Sequence, residues 1–268
     1  MHYIEWINTN VCRDFQAALF DFDGTISLIR EDWQPIMYSY FTQVLAESSP
    51  KEPLERLEAQ VKEYVDQSTG IQAIYQCFWL AEEVERRGGK PKDPLFYKEE
   101  YNRRLLRRIS HRTQALRSGE ARPEDYLVPG SVELLEELRR RGLTLYLASG
   151  TDHKYVVEEA EALGVSSFFS GGIYGAVEDY KNFSKEQVIR KLILPKIPSG
   201  ESLLGFGDGF VEIENVKSVG GIAVGVASNE KARQGIDAWK RERLIKAGAD
   251  VIVGDYRARK ELLEGLFG

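Results

Sequence analysis

One strand-like run near the N-terminus stands far from all the others, and that separation most constrains the fold. Ala17-Ala18-Leu19-Phe20 is short, apolar and unbroken, and it leads straight into Asp21. Such a run suits a strand buried on both faces. From about Ser27 to Leu127 the pattern is helical, with no clear strand. Leu54, Leu57, Val61 and Val65 recur at helical spacing. Ile71 to Val84 is a second amphipathic stretch, stopped by Gly88-Gly89 and Pro91, and Tyr97 to Leu116 is a third.

After Pro129-Gly130 the texture changes. A helix is expected over Ser131 to Arg141, with Val132, Leu134, Leu135 and Leu138 inward and Gly142 ending it. The strand Leu143 to Ala148 follows, then a helix near His153 to Leu163 and a glycine-rich segment around Gly171-Gly172. A helix over Ser184 to Leu194 precedes the strands Leu203 to Phe206, Gly221 to Val226 and Val251 to Val253. Strands alternating with helices predict an α/β fold, a Rossmann-like parallel sheet core with helices on both faces. The helical block reads as an inserted all-helical cap. The expected domains are 1–27 with 128–268 for the core and 28–127 for the cap.

Composition narrows the function classes. The chain has 268 residues, a formal net charge of −6 and 43% hydrophobic content. An acidic balance argues against a nucleic-acid partner, which needs a basic surface. No stretch reaches the roughly 18 apolar residues of a membrane span. Cys12 and Cys77 lie far apart in no metal-ligand spacing and read as reduced thiols. Met1 to Trp6 carries neither a basic leader nor a long apolar run. A cytoplasmic location is the expectation; oligomeric state is not legible.

Four polar clusters fall at expected strand ends or helix starts. In Asp21-Phe22-Asp23-Gly24-Thr25, two carboxylates two positions apart can share one side of an extended chain. Their repulsion is costly unless a cation or proton lies between them, and a hard divalent ion suits such oxygens. The alternative is a turn with exposed aspartates. Ser149-Gly150-Thr151-Asp152 joins a strand to a helix, where hydroxyls and amides can seat phosphate, or where Thr151 or Asp152 can simply cap. Lys185 opposes the dipole at a helix start, a local conflict that hints at function, although Lys181 competes with it and either can be a surface lysine. Gly207-Asp208-Gly209-Phe210-Val211-Glu212 offers an acid on a backbone that can approach a metal closely; Glu214 is a nearby acid, and a turn is again the alternative.

The order of these clusters resembles the haloacid dehalogenase-like superfamily of phosphohydrolases. The resemblance covers about Ala17 to Thr25 and Val128 to the C-terminus. Asp21 and Asp23 match the first motif, Ser149 the second, Lys185 the third and Asp208 the fourth. Val128-Pro129-Gly130 looks like the segment that precedes the second motif. The resemblance implies a nucleophile, Asp21, that forms an aspartyl-phosphate, and an acid–base, Asp23. It implies Mg²⁺ held by Asp21, the backbone carbonyl of Asp23 and Asp208, with Ser149, Gly150 and Lys185 on the phosphoryl oxygens. The fourth motif often carries a second aspartate where Glu212 stands here, and Glu212 is expected near the metal's water shell. Asp23 sets the chain apart from family dehalogenases and phosphonatases, which lack that acid, and the missing membrane spans set it apart from pumps. The implied activity is Mg²⁺-dependent hydrolysis of a small phosphorylated metabolite. A sugar phosphomutase and a non-catalytic binding module are the alternatives.

The insertion carries Arg103, Arg104, Arg107, Arg108, Arg112, Arg117 and Arg122, opposed between Tyr101 and Arg122 only by Glu120. These form a solvated face, or one or two of them meet a second anionic group on the substrate. Ser68-Thr69-Gly70 with Gln72, Gln76 and Trp79 could read sugar hydroxyls, or be a helix end and a core aromatic. His111 and His153 have no partner in motif spacing and are assigned to no metal.

Overall fold

The computed structural model describes residues 4–177 and 183–268. Seven strands form one sheet: β1 (Ile4–Trp6), β2 (Ala17–Phe20), β3 (Thr144–Asp152), β4 (Gly172–Ala176), β5 (Leu203–Gly207), β6 (Ile222–Val226) and β7 (Val251–Val253), in the order β1-β7-β6-β5-β2-β3-β4. All pairings are parallel except β1 with β7. The expected core strands are present, and the sheet is mixed rather than wholly parallel. β1 is too short to show a pattern, and β4 begins at Gly172, in the segment that reads only as glycine-rich. The long segments between strands form helices on both faces: α5 (Ser131–Arg140), α6 (His153–Ala162), α8 (Phe210–Lys217), α9 (Ala238–Lys246) and α10 (Arg259–Phe267).

β2 is the centre of the design. Its four residues are all buried, and it pairs with β3 on one side and β5 on the other. Phe20 stands opposite Leu147 and Phe206, so the three strands are level there. Chain direction around the sheet reverses at β2, and ligands of open α/β sheets bind outside the strand C-termini at such a point. Phe20 stacks on Phe206 with ring centroids 4.4 Å apart, and Tyr256 meets Phe206 edge-on at 6.1 Å. Each such side chain contributes about 2–3 kcal/mol by leaving water. Away from the site, Asp250 is buried at the sheet edge. It accepts from Lys217 Nζ at 2.8 Å, the Ala223 amide at 2.9 Å and Asn8 Nδ2 at 3.1 Å, which accounts for that acid structurally.

The helix expected over Ser184 to Leu194 is irregular. Lys185–Gln187 is α-helical, Val188–Ile193 is a π turn and Leu194–Lys196 a 3-10 turn; the three together are called α7. Pro195 has no N–H to continue a regular ladder. Strand β3 runs on to Asp152, so the second motif lies at a strand end rather than in a loop.

Four earlier helices are α1 (Trp33–Ser48), α2 (Leu54–Gln67), α3 (Ala73–Arg86) and α4 (Pro94–Ser118). The chain divides into two compact units. One reaches Glu31 and resumes at Arg112; the other is Asp32–His111. The helical unit is thus shorter than the expected 28–127. Its flanks are tied into the sheet unit: the Val128 amide donates to Ile26 O at 2.9 Å and Leu28 N to Tyr126 O at 2.8 Å. Arg112 Nη1 donates to Ile29 O at 2.7 Å and Glu31 O at 3.0 Å.

Within the helical unit, α1, α2 and α3 bury Phe41, Leu45, Leu57, Val61, Val65, Cys77 and Leu80. Trp79 stacks on Tyr64 at 3.9 Å. Ser68 donates to Tyr64 O at 2.8 Å and accepts from Gln76 Nε2 at 2.9 Å, so the polar turn after α2 closes on itself. Glu83, only 1% exposed, accepts from Arg87 at 2.5 Å and Gln60 at 3.0 Å, and pairs with Arg86. Arg87 reaches on to Glu52 at 2.8 Å. Both cysteines are free; Cys12 is exposed and Cys77 buried.

Two outcomes follow. Burial pushes the Cys77 thiol up to about 12, so a thiol reagent should modify one cysteine in the native protein and two in urea. Glu83→Leu leaves Arg87 short of a buried partner and should cost about 3 kcal/mol in urea unfolding, against less than about 1 kcal/mol for the exposed-partner change Arg103→Leu.

Candidate active site

Asp21 follows β2 directly, and its amide donates to Phe206 O at 2.9 Å. The next residues fold into a tight loop: the amides of Ile26 and Ser27 donate to Phe22 O at 2.9 and 2.8 Å, and that of Gly24 to Ser27 O at 2.8 Å. Tyr256 Oη donates to Thr25 O at 3.0 Å and Ser228 Oγ to Gly24 O at 2.7 Å, pinning the loop from other elements. Gly24 has φ +74°, and a Cβ there would lie 2.1 Å from Asp208 Oδ2. Only glycine lets this loop come so near the Asp208 carboxylate.

Lys185, at the start of α7, is buried and donates from Nζ to Asp21 Oδ1 at 2.6 Å. The same ammonium meets Glu212 Oε1. Glu212 gets there because Gly207 lacks a side chain; a Cβ on Gly207 would lie 2.6 Å from Glu212 Cβ. Oε1 of Glu212 engages the lysine, and among the described residues its buried Oε2 meets no hydrogen-bond partner. The dipole conflict at Lys185 is resolved by these two carboxylates. Lys181 lies outside the described residues.

Asp23 accepts from Thr151 Oγ1 at 2.8 Å and from Ser149 Oγ at 3.5 Å, both on Oδ2. The Thr151 amide donates to Ser149 Oγ at 3.0 Å. Thr151 thus does not cap α6 but holds the second aspartate. Gly150 lies between these hydroxyls at the end of β3. Asp208, just past β5, accepts from Lys240 Nζ at 2.8 Å on Oδ2. Lys240 also donates to Glu230 at 2.6 Å and Ser228 at 3.2 Å. Lys240 and Glu230 carry no motif signal in the sequence, since Lys240 sits among the charges of α9 and Glu230 in a turn before it.

The electrostatics follow from burial. Burial pushes the Asp21 carboxyl above the usual carboxylate range; Lys185 opposes the shift and Asp208 adds to it. Burial raises Asp23 to about 7, with Arg30 and Thr151 opposing and Glu159 and Asp21 adding. Burial alone would lower the Lys240 ammonium, but Asp208 and Glu230 outweigh it and hold it above its ordinary value.

The donor set suits a hard divalent cation. Asp21 and Asp208 are each held by lysine through one oxygen, and their mutual repulsion contributes to the upward shift of Asp21. Among the described residues no group of three or more His, Cys, Asp and Glu side chains is arranged around a metal position. Two carboxylates, Asp21 and Asp208, make a small protein share, which suits Mg²⁺, an ion bound by one or two carboxylates together with substrate phosphate and water.

Several of the expected arginines are engaged in ion pairs. Arg103 and Arg104 pair with Glu100 at 2.7 Å, Arg117 with Glu158 at 3.0 Å and Arg122 with Asp125 at 3.1 Å. Arg112, Arg117 and Arg122 belong to the sheet unit, not the helical one. Among the described residues no helix is long and apolar enough to cross a membrane.

Comparison with known proteins bears on the family and the fold. A phosphoglycolate phosphatase of Synechococcus elongatus is 25% identical over 239 residues, covering 88% of this chain and 95% of that protein. The structure of a β-phosphoglucomutase from Clostridium difficile superposes with a TM-score of 0.60 at 16% identity, covering 94% of this chain and 97% of that one. A haloacid dehalogenase family hydrolase from Deinococcus radiodurans, with bound phosphate and sodium, gives 0.52 at 17% identity, covering 94% and 96%. The family description "haloacid dehalogenase-like hydrolase" matches residues 15–220. The chain belongs to the haloacid dehalogenase-like hydrolases.

Proposed function

We propose that the protein is a Mg²⁺-dependent phosphomonoester hydrolase that acts on a small phosphorylated metabolite through an aspartyl-phosphate on Asp21. The observation that carries this reading is the pairing of a buried Asp21, fixed by Lys185 at 2.6 Å, with a second carboxyl, Asp23, raised to about 7. The two acids have unlike partners: Asp21 meets an ammonium, which favours the anionic nucleophile, while Asp23 meets the Thr151 and Ser149 hydroxyls and can carry a proton near neutrality.

In the first step an Asp21 oxygen bonds to phosphorus while the ester P–O bond breaks, and its electron pair goes to the leaving oxygen. Asp23 gives that oxygen its proton and leaves as a carboxylate. In the second step Asp23 takes a proton from water, and the hydroxide oxygen displaces Asp21 from phosphorus. Lys185 and Ser149 with Gly150 bind the phosphoryl oxygens and offset charge as it shifts. Asp21, the Asp23 carbonyl and Asp208 would hold Mg²⁺, which supplies charge shielding between two anions. Lys240 and Glu230 keep Asp208 in place.

The Synechococcus relative makes phosphoglycolate the first substrate to try. A phosphomutase remains the second reading, favoured by the fold match to β-phosphoglucomutase and by the same pair of acids. Added sugar bisphosphate discriminates: a mutase needs it for isomerisation, whereas a phosphatase releases inorganic phosphate without it. Asp21→Asn should lower phosphate release by about 10³-fold or more while leaving the melting transition intact. Turnover near the parent rate in that variant would remove the proposal. Chelation with EDTA should abolish phosphate release and added Mg²⁺ should restore it; full activity after exhaustive chelation would remove the metal from the account.

A further inference from the structure

Arg30 is a buried cation that the steps above do not use. It lies nine positions after Asp21, and only 6% of it is exposed. Its guanidinium grips Glu159 on α6, with Nε at 3.1 Å from both carboxylate oxygens and Nη2 at 2.7 Å from Oε1. Nε also stands 3.8 Å from Asp23 Oδ1. The Tyr155 ring lies beneath it, with Cζ 5.7 Å from the centroid. The backbone on either side is clamped, since Arg112 Nη1 bonds both Ile29 O and Glu31 O, and the Ile29 amide donates to Ser27 Oγ at 3.2 Å.

Asp23 presents two unlike oxygens to this group. Oδ2 is held by the Thr151 and Ser149 hydroxyls. Oδ1 is buried and makes no hydrogen bond among the described residues. A carboxyl fixed at one oxygen still turns about its own axis, and the guanidinium facing Oδ1 limits that turn. Glu159 matters as much as Arg30. By taking the guanidinium fork it stops Arg30 from closing on Asp23 bidentately, which would occupy the oxygen that has to hand over a proton. A buried ion pair of this kind is not a strong source of stability compared with apolar packing of the same volume, so stability alone is a weak reason for it.

We propose that Arg30, locked by Glu159, is a positioning residue that orients Asp23 Oδ1 towards the leaving-group oxygen. The proposal rests on the reading of Asp23 as the acid that protonates that oxygen. It commits to a specific signature: the loss on removing Arg30 scales with how much the leaving group needs a proton. An alkoxide from an alkyl phosphate needs one as the P–O bond breaks, and para-nitrophenolate does not. The ratio kcat/KM reports steps through leaving-group release, so later hydrolysis of the intermediate does not mask the difference.

The experiment measures kcat/KM of the Mg²⁺-loaded enzyme with phosphoglycolate and with para-nitrophenyl phosphate for Arg30→Met, Arg30→Lys and Glu159→Gln. Glu159→Gln keeps the side-chain size and serves if Arg30→Met does not fold. Arg30→Met and Glu159→Gln should lose about tenfold or more on phosphoglycolate and less than about threefold on para-nitrophenyl phosphate. Arg30→Lys, which keeps the charge but not the fork, should recover part of the loss. Equal losses on both esters overturn the proposal, as does a rise in KM confined to phosphoglycolate, which would make Arg30 a substrate contact. Asp23→Asn is run alongside. If it shows the leaving-group dependence and the Arg30 and Glu159 variants do not, only the positioning role fails; if Asp23→Asn lacks it too, the acid role of Asp23 fails first.

Discussion

The structure depends on bringing carboxylates together and compensating them with few cations. Asp21, Asp23, Asp208 and Glu212 converge where β2, β3 and β5 end, and Glu159 and Glu230 stand behind them. Lys185, Lys240 and Arg30 are the cations that meet them. Each cation bridges two acids, so none of the buried carboxylates named here is left without a neighbouring positive charge, and the cluster keeps a negative excess. That excess is what a divalent cation would relieve, and burial without full compensation is what raises Asp21 and Asp23.

Small residues make the convergence sterically feasible. Gly24 lets the first-motif loop approach Asp208, and Gly207 lets α8 bring Glu212 beneath Lys185. The stacked Phe20 and Phe206 rings fix the relative height of β2 and β5 just below the acids. Packing thus sets the distances that the chemistry uses. A loss of either glycine would act on the charges through geometry, with no charged residue changed.

Much of this was legible in the sequence because it is local. The apolar run before Asp21, the strand before Ser149 and the run before Asp208 each announce a strand end, and the alternation with helices gives the parallel core. Helix periodicity located α2, α3 and α4 to within a few residues. What escaped the sequence is what depends on distant pairing. β1 has three residues and forms only because β7 offers an edge. The helical unit begins and ends later and earlier than expected because Arg112 and the Ile26–Val128 pairing belong to the sheet unit. Glu212 meets Lys185, a residue far away in sequence, and Lys240 and Arg30 look like ordinary surface charges until the fold buries them. On the proposed reading the site residues address the phosphoryl group or its proton rather than the rest of the substrate.

The central claim is that Asp21 becomes covalently phosphorylated. Rapid quenching during turnover of a phosphate ester carrying labelled phosphorus, followed by proteolysis and peptide mapping, tests it directly. The account predicts a transient, hydroxylamine-sensitive label on the peptide that contains Asp21. Phosphate release with no enzyme-bound label at any time, or a label on a different residue, would contradict it.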